Sequence, residues 1–149
     1  MKKIDNNENK EYCSTCSKCC CSKYPGAYAP GQVSLKQIEQ LLKDKKASFW
    51  MCYKTDKTGF LRPRNVPIDK YKRITYGVAG DCCNLTKKGC SLPFDERPYE
   101  CQALVPNKNP RECKEGISLE KVVGYWKLSN KFQKIVDKLG IDIEKELEF

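Results

Sequence analysis

The chain has 149 residues, of which 40% are hydrophobic and 32% are charged, and its formal net charge is +9. This composition is typical of a soluble globular protein and excludes an intrinsically disordered chain. No apolar run approaches the roughly 18 residues of a membrane-spanning helix, and the first ten residues lack the apolar stretch of a signal peptide. The sequence therefore predicts a cytoplasmic protein without a membrane partner.

We expect a single domain over residues 13–149, because a chain of this length can bury one modest apolar core. Residues 1–12 are polar and charge-balanced, which predicts a flexible leader. Within the domain, residues 118–149 are expected to form a C-terminal helical segment.

Eleven cysteines and no histidine set this sequence apart. A reducing compartment rarely keeps structural disulfides, and an odd cysteine count leaves one thiol unpaired, so metal ligation is favoured over disulfides. Without histidine, a tetrahedral zinc site must be all-thiolate or include a carboxylate. Buried or reactive cysteines without metal are the alternative.

The first group of cysteines, residues 13–21, is called here the first cysteine segment. Cys13, Cys16, Cys19 and Cys20 form the pattern C-x-x-C-x-x-C-C. Two-residue gaps return successive sulfurs to one side of a loop that turns around a metal. Cys20 projects differently from Cys19 in an extended backbone, so it either serves a second metal or requires a turn to join the first.

A loop over residues 24–31 separates this segment from the first predicted helix. Ser34 can cap that helix and Gln37 completes a capping box, and we expect the helix to end near Lys46. The apolar residues at helical spacing are Leu35, Ile38, Leu41 and Leu42.

Two strands and a hairpin are predicted in the middle of the chain. Residues 48–53 are expected to pair with Phe60 and Leu61 across a turn at residues 56–59. Residues 68–74 are expected to form a helical turn. A tight hairpin is predicted with arms at residues 81–85 and 90–93 around the turn at residues 86–89.

Four more thiols lie downstream in turn or hairpin contexts that suit metal ligands: Cys83, Cys90, Cys101 and Cys113. After Cys113 the pattern becomes helical, with Ser118 as the cap and Gly140 as the end. The apolar phase shifts near Ser129, which leaves open whether this stretch is one helix or two.

Several of these features together resemble the YkgJ-type CxxCxxCC family, which is described as zinc- or iron-chelating. They are the first cysteine segment, the Ser34-Leu35 helix start, Cys83-Asn84-Leu85, Cys90, Arg97-Pro98, and Cys101 followed by Pro106. The resemblance covers roughly two thirds of the chain. The ligand set that it implies is Cys13, Cys16, Cys19, Cys20, Cys83, Cys90, Cys101 and Cys113.

This resemblance leaves Cys21, Cys52 and Cys82 outside the ligand set. Cys83 is preferred to Cys82 because Leu85 then falls where the family pattern expects an apolar residue. The cysteine module is also similar to that of flagellin lysine methylases, which implies an iron-sulfur cluster in that branch. The chain is too short for the rest of such an enzyme, so the resemblance leaves open whether it has an enzymatic activity.

Two cofactors fit the spacing. C-x-x-C-x-x-C with a remote fourth cysteine matches the loops that hold a [4Fe-4S] cluster in bacterial ferredoxins, while zinc needs only four thiolates. Arg97 is a candidate cofactor contact, because its guanidinium can donate to cluster sulfurs while Pro98 fixes the approach of Cys101. The alternative role for Arg97 is a surface ion pair with Asp95 or Glu96.

The predicted fold is a small, mainly α domain with minor β structure, stabilised by metal, in which irregular cysteine loops and a short β-hairpin pack on helices. The predicted function is a metal-binding protein that acts as an accessory or redox factor, or as a small metal-dependent modifying enzyme, with a protein or peptide partner. The alternative is a zinc-ribbon-like nucleic-acid-binding module. It would use residues 36–73, which hold eleven basic and four acidic residues.

Overall fold

A computed structural model of the chain describes residues 25–51, 58–66, 71–77, 80–105, 113–114 and 116–147, together with residues 4, 6 and 7. The predictions for the first cysteine segment and for Cys52 lie outside these residues. Within them the chain forms five α-helices and seven short strands, and none of these helices is long and apolar enough to cross a membrane.

The helices are α1 (Leu35–Lys43), α2 (Tyr99–Gln102), α3 (Leu119–Ser129), α4 (Lys131–Leu139) and α5 (Ile143–Leu147). The strands are β1 (Ala47–Met51), β2 (Gly59–Pro63), β3 (Asn65–Val66), β4 (Ile74–Thr75), β5 (Asp81–Cys82), β6 (Leu85–Thr86) and β7 (Gly89–Cys90). Short 3-10 turns at Pro30–Gln32 and Phe94–Glu96 complete the described elements.

Helix α1 begins with the predicted capping box. The Gln37 backbone N–H donates to Ser34 Oγ at 3.1 Å, and the Ser34 N–H donates to Gln37 Oε1 at 2.7 Å. The helix ends at Lys43, before the predicted end near Lys46, because Lys45 takes a left-handed conformation with φ of 57°. Its buried face packs toward the core through Ile38 and Leu42.

The predicted pairing of two strands is confirmed. Strands β1 and β2 run antiparallel, with Phe49 opposite Leu61 and Trp50 opposite Phe60. Strand β4 pairs with the other edge of β1 in parallel. The helical turn predicted over residues 68–74 is wrong at its end, because the fully buried, β-branched Ile74 lies in β4.

The predicted hairpin is present but shorter than expected. Leu85 in β6 faces Cys90 in β7, and the turn between them is closed by a hydrogen bond from Thr86 Oγ1 to the Gly89 carbonyl at 2.6 Å. The preceding strand β5 leaves the hairpin and pairs with β3, so that Cys82 lies opposite Asn65. Two-residue ladders of this kind carry too little sequence signal to be predicted.

The C-terminal stretch consists of two longer helices and a final turn. The Lys121 N–H donates to Ser118 Oγ at 3.3 Å at the start of α3. Asn130 separates α3 from α4 with φ of 58°, and Gly140 ends α4 with φ of 61°. The phase shift near Ser129 therefore marks a helix boundary.

The core lies between the three-stranded sheet and helices α1, α3 and α4. The ring of Phe49 in β1 meets Trp126 in α3 and Phe132 in α4 edge-on, with centroid distances of 5.6 and 5.0 Å. Because strands supply part of this core, the described residues form a mixture of α and β structure, and the prediction of a mainly α domain holds only in part.

Tyr71 joins α1 to β1 through its hydroxyl, which donates to the Ala47 carbonyl at 2.6 Å and lies 3.2 Å from the Leu42 carbonyl. Burial raises the pKa of Tyr71 to about 12.

Tyr71→Phe should lower the free energy of unfolding by about 1–2 kcal/mol at neutral pH. Between about pH 10 and 12 the Tyr71 hydroxyl loses its proton in the unfolded chain but keeps it in the folded protein. The free energy of unfolding of the native protein should therefore fall more steeply with rising pH than that of Tyr71→Phe. Chemical denaturation across this pH range measures both effects, and parallel curves would contradict the prediction.

Candidate metal centre

Residues 25–29, which follow the first cysteine segment, are held in place by backbone hydrogen bonds. The Ala27 N–H donates to Glu100 Oε1 at 2.8 Å, and the Glu100 N–H donates back to the Ala27 carbonyl at 3.1 Å. The Tyr28 N–H donates to the Leu61 carbonyl at 2.8 Å. This stretch therefore runs between α2 and the sheet.

Cys101 lies in the short helix α2, directly against this stretch. Pro98 precedes the helix with φ of −50°, and it thereby fixes where the chain turns toward Cys101. A Cβ atom added to Gly26 would overlap Cys101 Sγ and lie 3.2 Å from the Cys101 backbone nitrogen. Gly26 is thus required by the close approach of the chain to the cysteine sulfur.

The chain before the first cysteine segment also meets α2. The Asn6 side-chain amide donates to the carbonyl of Gln102 at 3.2 Å and to that of Leu104 at 3.0 Å. One described residue on each side of the segment, Asn6 before it and Gly26 after it, therefore lies against the part of the chain that carries Cys101.

Cys82 and Cys83 lie next to each other at the end of β5, and Cys83 Sγ donates to the Lys46 carbonyl at 3.4 Å. Interaction between the two thiols raises the pKa of Cys82 and lowers that of Cys83, to which the positive charge of Lys46 also contributes. The Asn84 N–H donates to Cys82 Sγ at 3.4 Å, an arrangement that can support a metal-bound sulfur. Cys82 is buried and Cys83 is half-buried, and the choice of Cys83 as ligand stays a prediction.

Arg97 is buried, with 3% of its surface exposed, and its Nε donates to the Leu92 carbonyl at 3.0 Å. Burial raises the pKa of Cys90, while the charge of Arg97 and a hydrogen bond from it oppose the rise. The charge of Arg97 thus acts on Cys90, while its role as a contact to cofactor sulfurs stays a prediction. A side chain that is buried to this extent is not consistent with the alternative of a surface ion pair with Asp95 or Glu96.

Tyr28 is buried in the hydrophobic core. Burial raises its pKa above the usual range of a tyrosine, and electrostatic interaction with downstream cysteines, Cys101 first among them, adds to this rise. The sequence did not predict this influence of distant cysteines on Tyr28.

An isolated β-bridge between Val105 and Lys114 brings the chain at Cys113 back toward the end of α2. The N–H groups of Val105 and Lys114 donate to each other's carbonyls at 2.8 and 2.9 Å. Among the residues that the structure describes, no group of three or more Cys, Asp or Glu side chains is arranged to hold a metal ion.

The nucleic-acid alternative depends on the basic residues within 36–73, and not all of these side chains are exposed to solvent. Arg62 is 6% exposed, with its guanidinium 4.4 Å from the centre of the Trp50 ring. Arg73 pairs with Glu146 in α5. These two arginines serve contacts within the fold, and nucleic-acid binding stays a prediction.

Sequence reasoning did not identify Gly26, Asn6 or Tyr28 as parts of the site. Each makes a contact across more than 70 positions of the chain, which for Tyr28 is the one with Trp126, and one sequence carries no signal for such contacts. The only signal in the sequence for Gly26 and Tyr28 was that they lie a few residues after the first cysteine segment. Comparison with known proteins adds no further assignment, because no protein-family model, curated protein sequence or solved structure matches the chain.

Proposed function

We propose that the chain is a metal-binding protein of the YkgJ type, in which thiolates of the first cysteine segment and downstream cysteines share zinc or an iron-sulfur cluster. The observation that carries this proposal is the anchoring of both Asn6 and Gly26 at α2, beside Cys101. The chain between these two anchors contains five of the eleven cysteines.

Chain geometry limits how far the first cysteines can lie from Cys101. Cys20 precedes Gly26 by six positions, and six residues span at most about 20 Å when fully extended. The same limit applied from Asn6 keeps Cys13 within about 25 Å of α2. Both limits leave the first cysteines within reach of the downstream cysteines, as a shared metal requires.

The chemistry of the described donors fits a thiophilic metal. Thiolate ligands carry negative charge, and Arg97 and Lys46 place positive charge beside Cys90 and Cys83. Hydrogen bonds from backbone N–H groups and arginine to sulfur are the outer contacts that support metal-bound thiolates. Zinc would supply folding energy, and an iron-sulfur cluster would supply electron transfer.

The proposed ligands are the eight cysteines of the family pattern, with Arg97 as a contact to the metal-bound sulfurs. Metal would then join the first cysteine segment to α2 and the β6–β7 hairpin, and so stabilise the domain. We place the protein in the cytoplasm, where thiols stay reduced, as an accessory or redox factor or a small metal-dependent modifying enzyme with a protein or peptide partner.

Elemental analysis of protein purified without oxygen and without chelator tests this proposal. We expect one or two metal centres per chain, either zinc without acid-labile sulfide or iron with sulfide in matching amounts. An absorption spectrum distinguishes the two, because only the cluster absorbs visible light. A fully folded protein that contains no stoichiometric zinc or iron would rule the proposal out.

A further inference from the structure

A groove lies on the surface between helices α1 and α4, at the position where Arg73 precedes β4. Its volume is about 480 Å³, which lies within the roughly 300–1,000 Å³ of ligand-binding clefts. Six of the side chains that line it are charged or apolar: Lys36, Glu39, Leu42, Lys43, Arg73 and Leu139. The lining contains no cysteine, so the groove is separate from the candidate metal centre.

The acidic side chain of the lining is already neutralised by a partner outside it. Lys138 Nζ in α4 donates to Glu39 Oε2 in α1 at 3.0 Å, and this ion pair joins the two helices beside the groove. Arg73 Nε donates to Glu146 Oε1 in α5 at 2.7 Å. Each pair brings one positive and one negative charge, so neither pair makes the groove acidic.

The charge that remains comes from two lysines on α1. Lys36 and Lys43 are exposed, and within the described part of the chain neither forms an ion pair with a carboxylate. Asp44, the one further acid bonded to the lining, is held by the Gln40 amide, which lies 3.0 Å from both carboxylate oxygens. With Asp44 and both ion pairs counted, two lysines against one aspartate leave the groove with a net charge of +1.

The spacing of these lysines sets the ligand that fits them. Lys36 and Lys43 are seven positions apart on one face of α1, which corresponds to a rise of about 10 Å. Three residues of an extended peptide span about the same distance. Leu139, which is 36% exposed, supplies apolar surface in the same groove.

We propose that this groove binds a short acidic segment of a protein partner in an extended conformation. Two carboxylates three positions apart pair with Lys36 and Lys43, and an apolar side chain between them packs on Leu139. The Glu39 carboxylate between the two lysines would repel the evenly spaced phosphates of a nucleic acid, so a peptide fits the lining better. The inference goes beyond the proposed metal binding and stands whether or not the chain binds metal.

Fluorescence anisotropy with the full-length protein tests this site. The probe is a rhodamine-labelled octapeptide that has two aspartates three positions apart and two leucines between them. We expect it to bind the native protein at low salt, and we expect the same peptide with asparagines in place of the aspartates to bind at least about threefold more weakly. Equal binding of the two peptides, or no binding of either, overturns the proposal.

Lys36→Gln combined with Lys43→Gln should weaken binding of the aspartate peptide about three- to tenfold, because two exposed ion pairs are lost. Lys121→Gln combined with Lys127→Gln is the matched control, since it removes the same charge from exposed lysines of α3 that do not line the groove. This control should keep the native affinity. Equal losses in the two double variants would show that net charge alone attracts the peptide, and they overturn the site.

A labelled single-stranded oligonucleotide in the same assay separates a peptide site from a nucleic-acid surface. We expect the aspartate peptide to bind the native protein more tightly than the oligonucleotide at the same salt concentration. Tighter binding of the oligonucleotide, with a loss of affinity when Lys36 and Lys43 are replaced, would assign the groove to nucleic acid and overturn the proposal.

Discussion

Cys101→Ser should release the bound metal and lower the melting temperature by about 10 °C. Metal binding and folding free energy are linked, so loss of one ligand removes several kcal/mol of stabilisation. The serine oxygen is a poor substitute for a thiolate, although it matches the cysteine closely in size. Elemental analysis and thermal unfolding of the same preparation measure the two effects together.

Cys52→Ser is the control for this experiment, because Cys52 lies outside the proposed ligand set. We expect native metal content in this variant, and a loss like that of Cys101→Ser in Cys16→Ser. The assignment of ligands is wrong if Cys52→Ser loses metal while Cys16→Ser and Cys101→Ser keep it.

Gly26→Ala should weaken metal binding without removing any ligand. The added methyl group overlaps Cys101 Sγ, and the nearby backbone nitrogen of Cys101, at 3.2 Å, leaves it no way around. Overpacking of this kind costs about 1–3 kcal/mol and would displace the sulfur or the chain that leads from the first cysteine segment. Competition with a chromogenic chelator measures the fall in metal affinity, and urea denaturation measures the loss of stability.

Gly124→Ala provides the matched control within the same chain. Gly124 lies inside α3, and a Cβ there meets no atom within 4 Å among the described residues. We expect this change to raise the free energy of unfolding by about 0.5–1 kcal/mol, because alanine favours the helix, and to leave metal affinity unchanged. Similar metal affinities in the two variants would show that the approach of Gly26 to Cys101 does not matter for the site.

Local signals predicted much of the fold. The capping box of Ser34 and Gln37 gave the start of α1. The change of apolar phase near Ser129 left one or two helices open, and it coincides with the boundary between α3 and α4. The end of α1 was missed because Lys45 takes the left-handed conformation that glycine or asparagine usually marks. Strand β4 was missed because it is two residues long and depends on β1 for its pairing.

The candidate site was predictable only as a set of residue types. Cysteine spacing and the Arg97-Pro98 pair indicated ligands and a cofactor contact, and both stay predictions. The placement of Gly26 beside Cys101 depends on hydrogen bonds of residues 25–29 with α2, β2 and α3. Such contacts form only when the whole domain has assembled, so the spacing of residues along the chain does not reveal them.

The hydrogen bond from Trp126 to Tyr28 joins residues 98 positions apart and has a consequence for biosynthesis. A ribosome adds about 5–20 residues each second, so Trp126 follows Tyr28 by about 5–20 s. During that interval the first cysteine segment has already been synthesised, while the tryptophan that helps to hold residues 25–29 has not. The proposed metal centre therefore cannot gain this support until residue 126 has been translated.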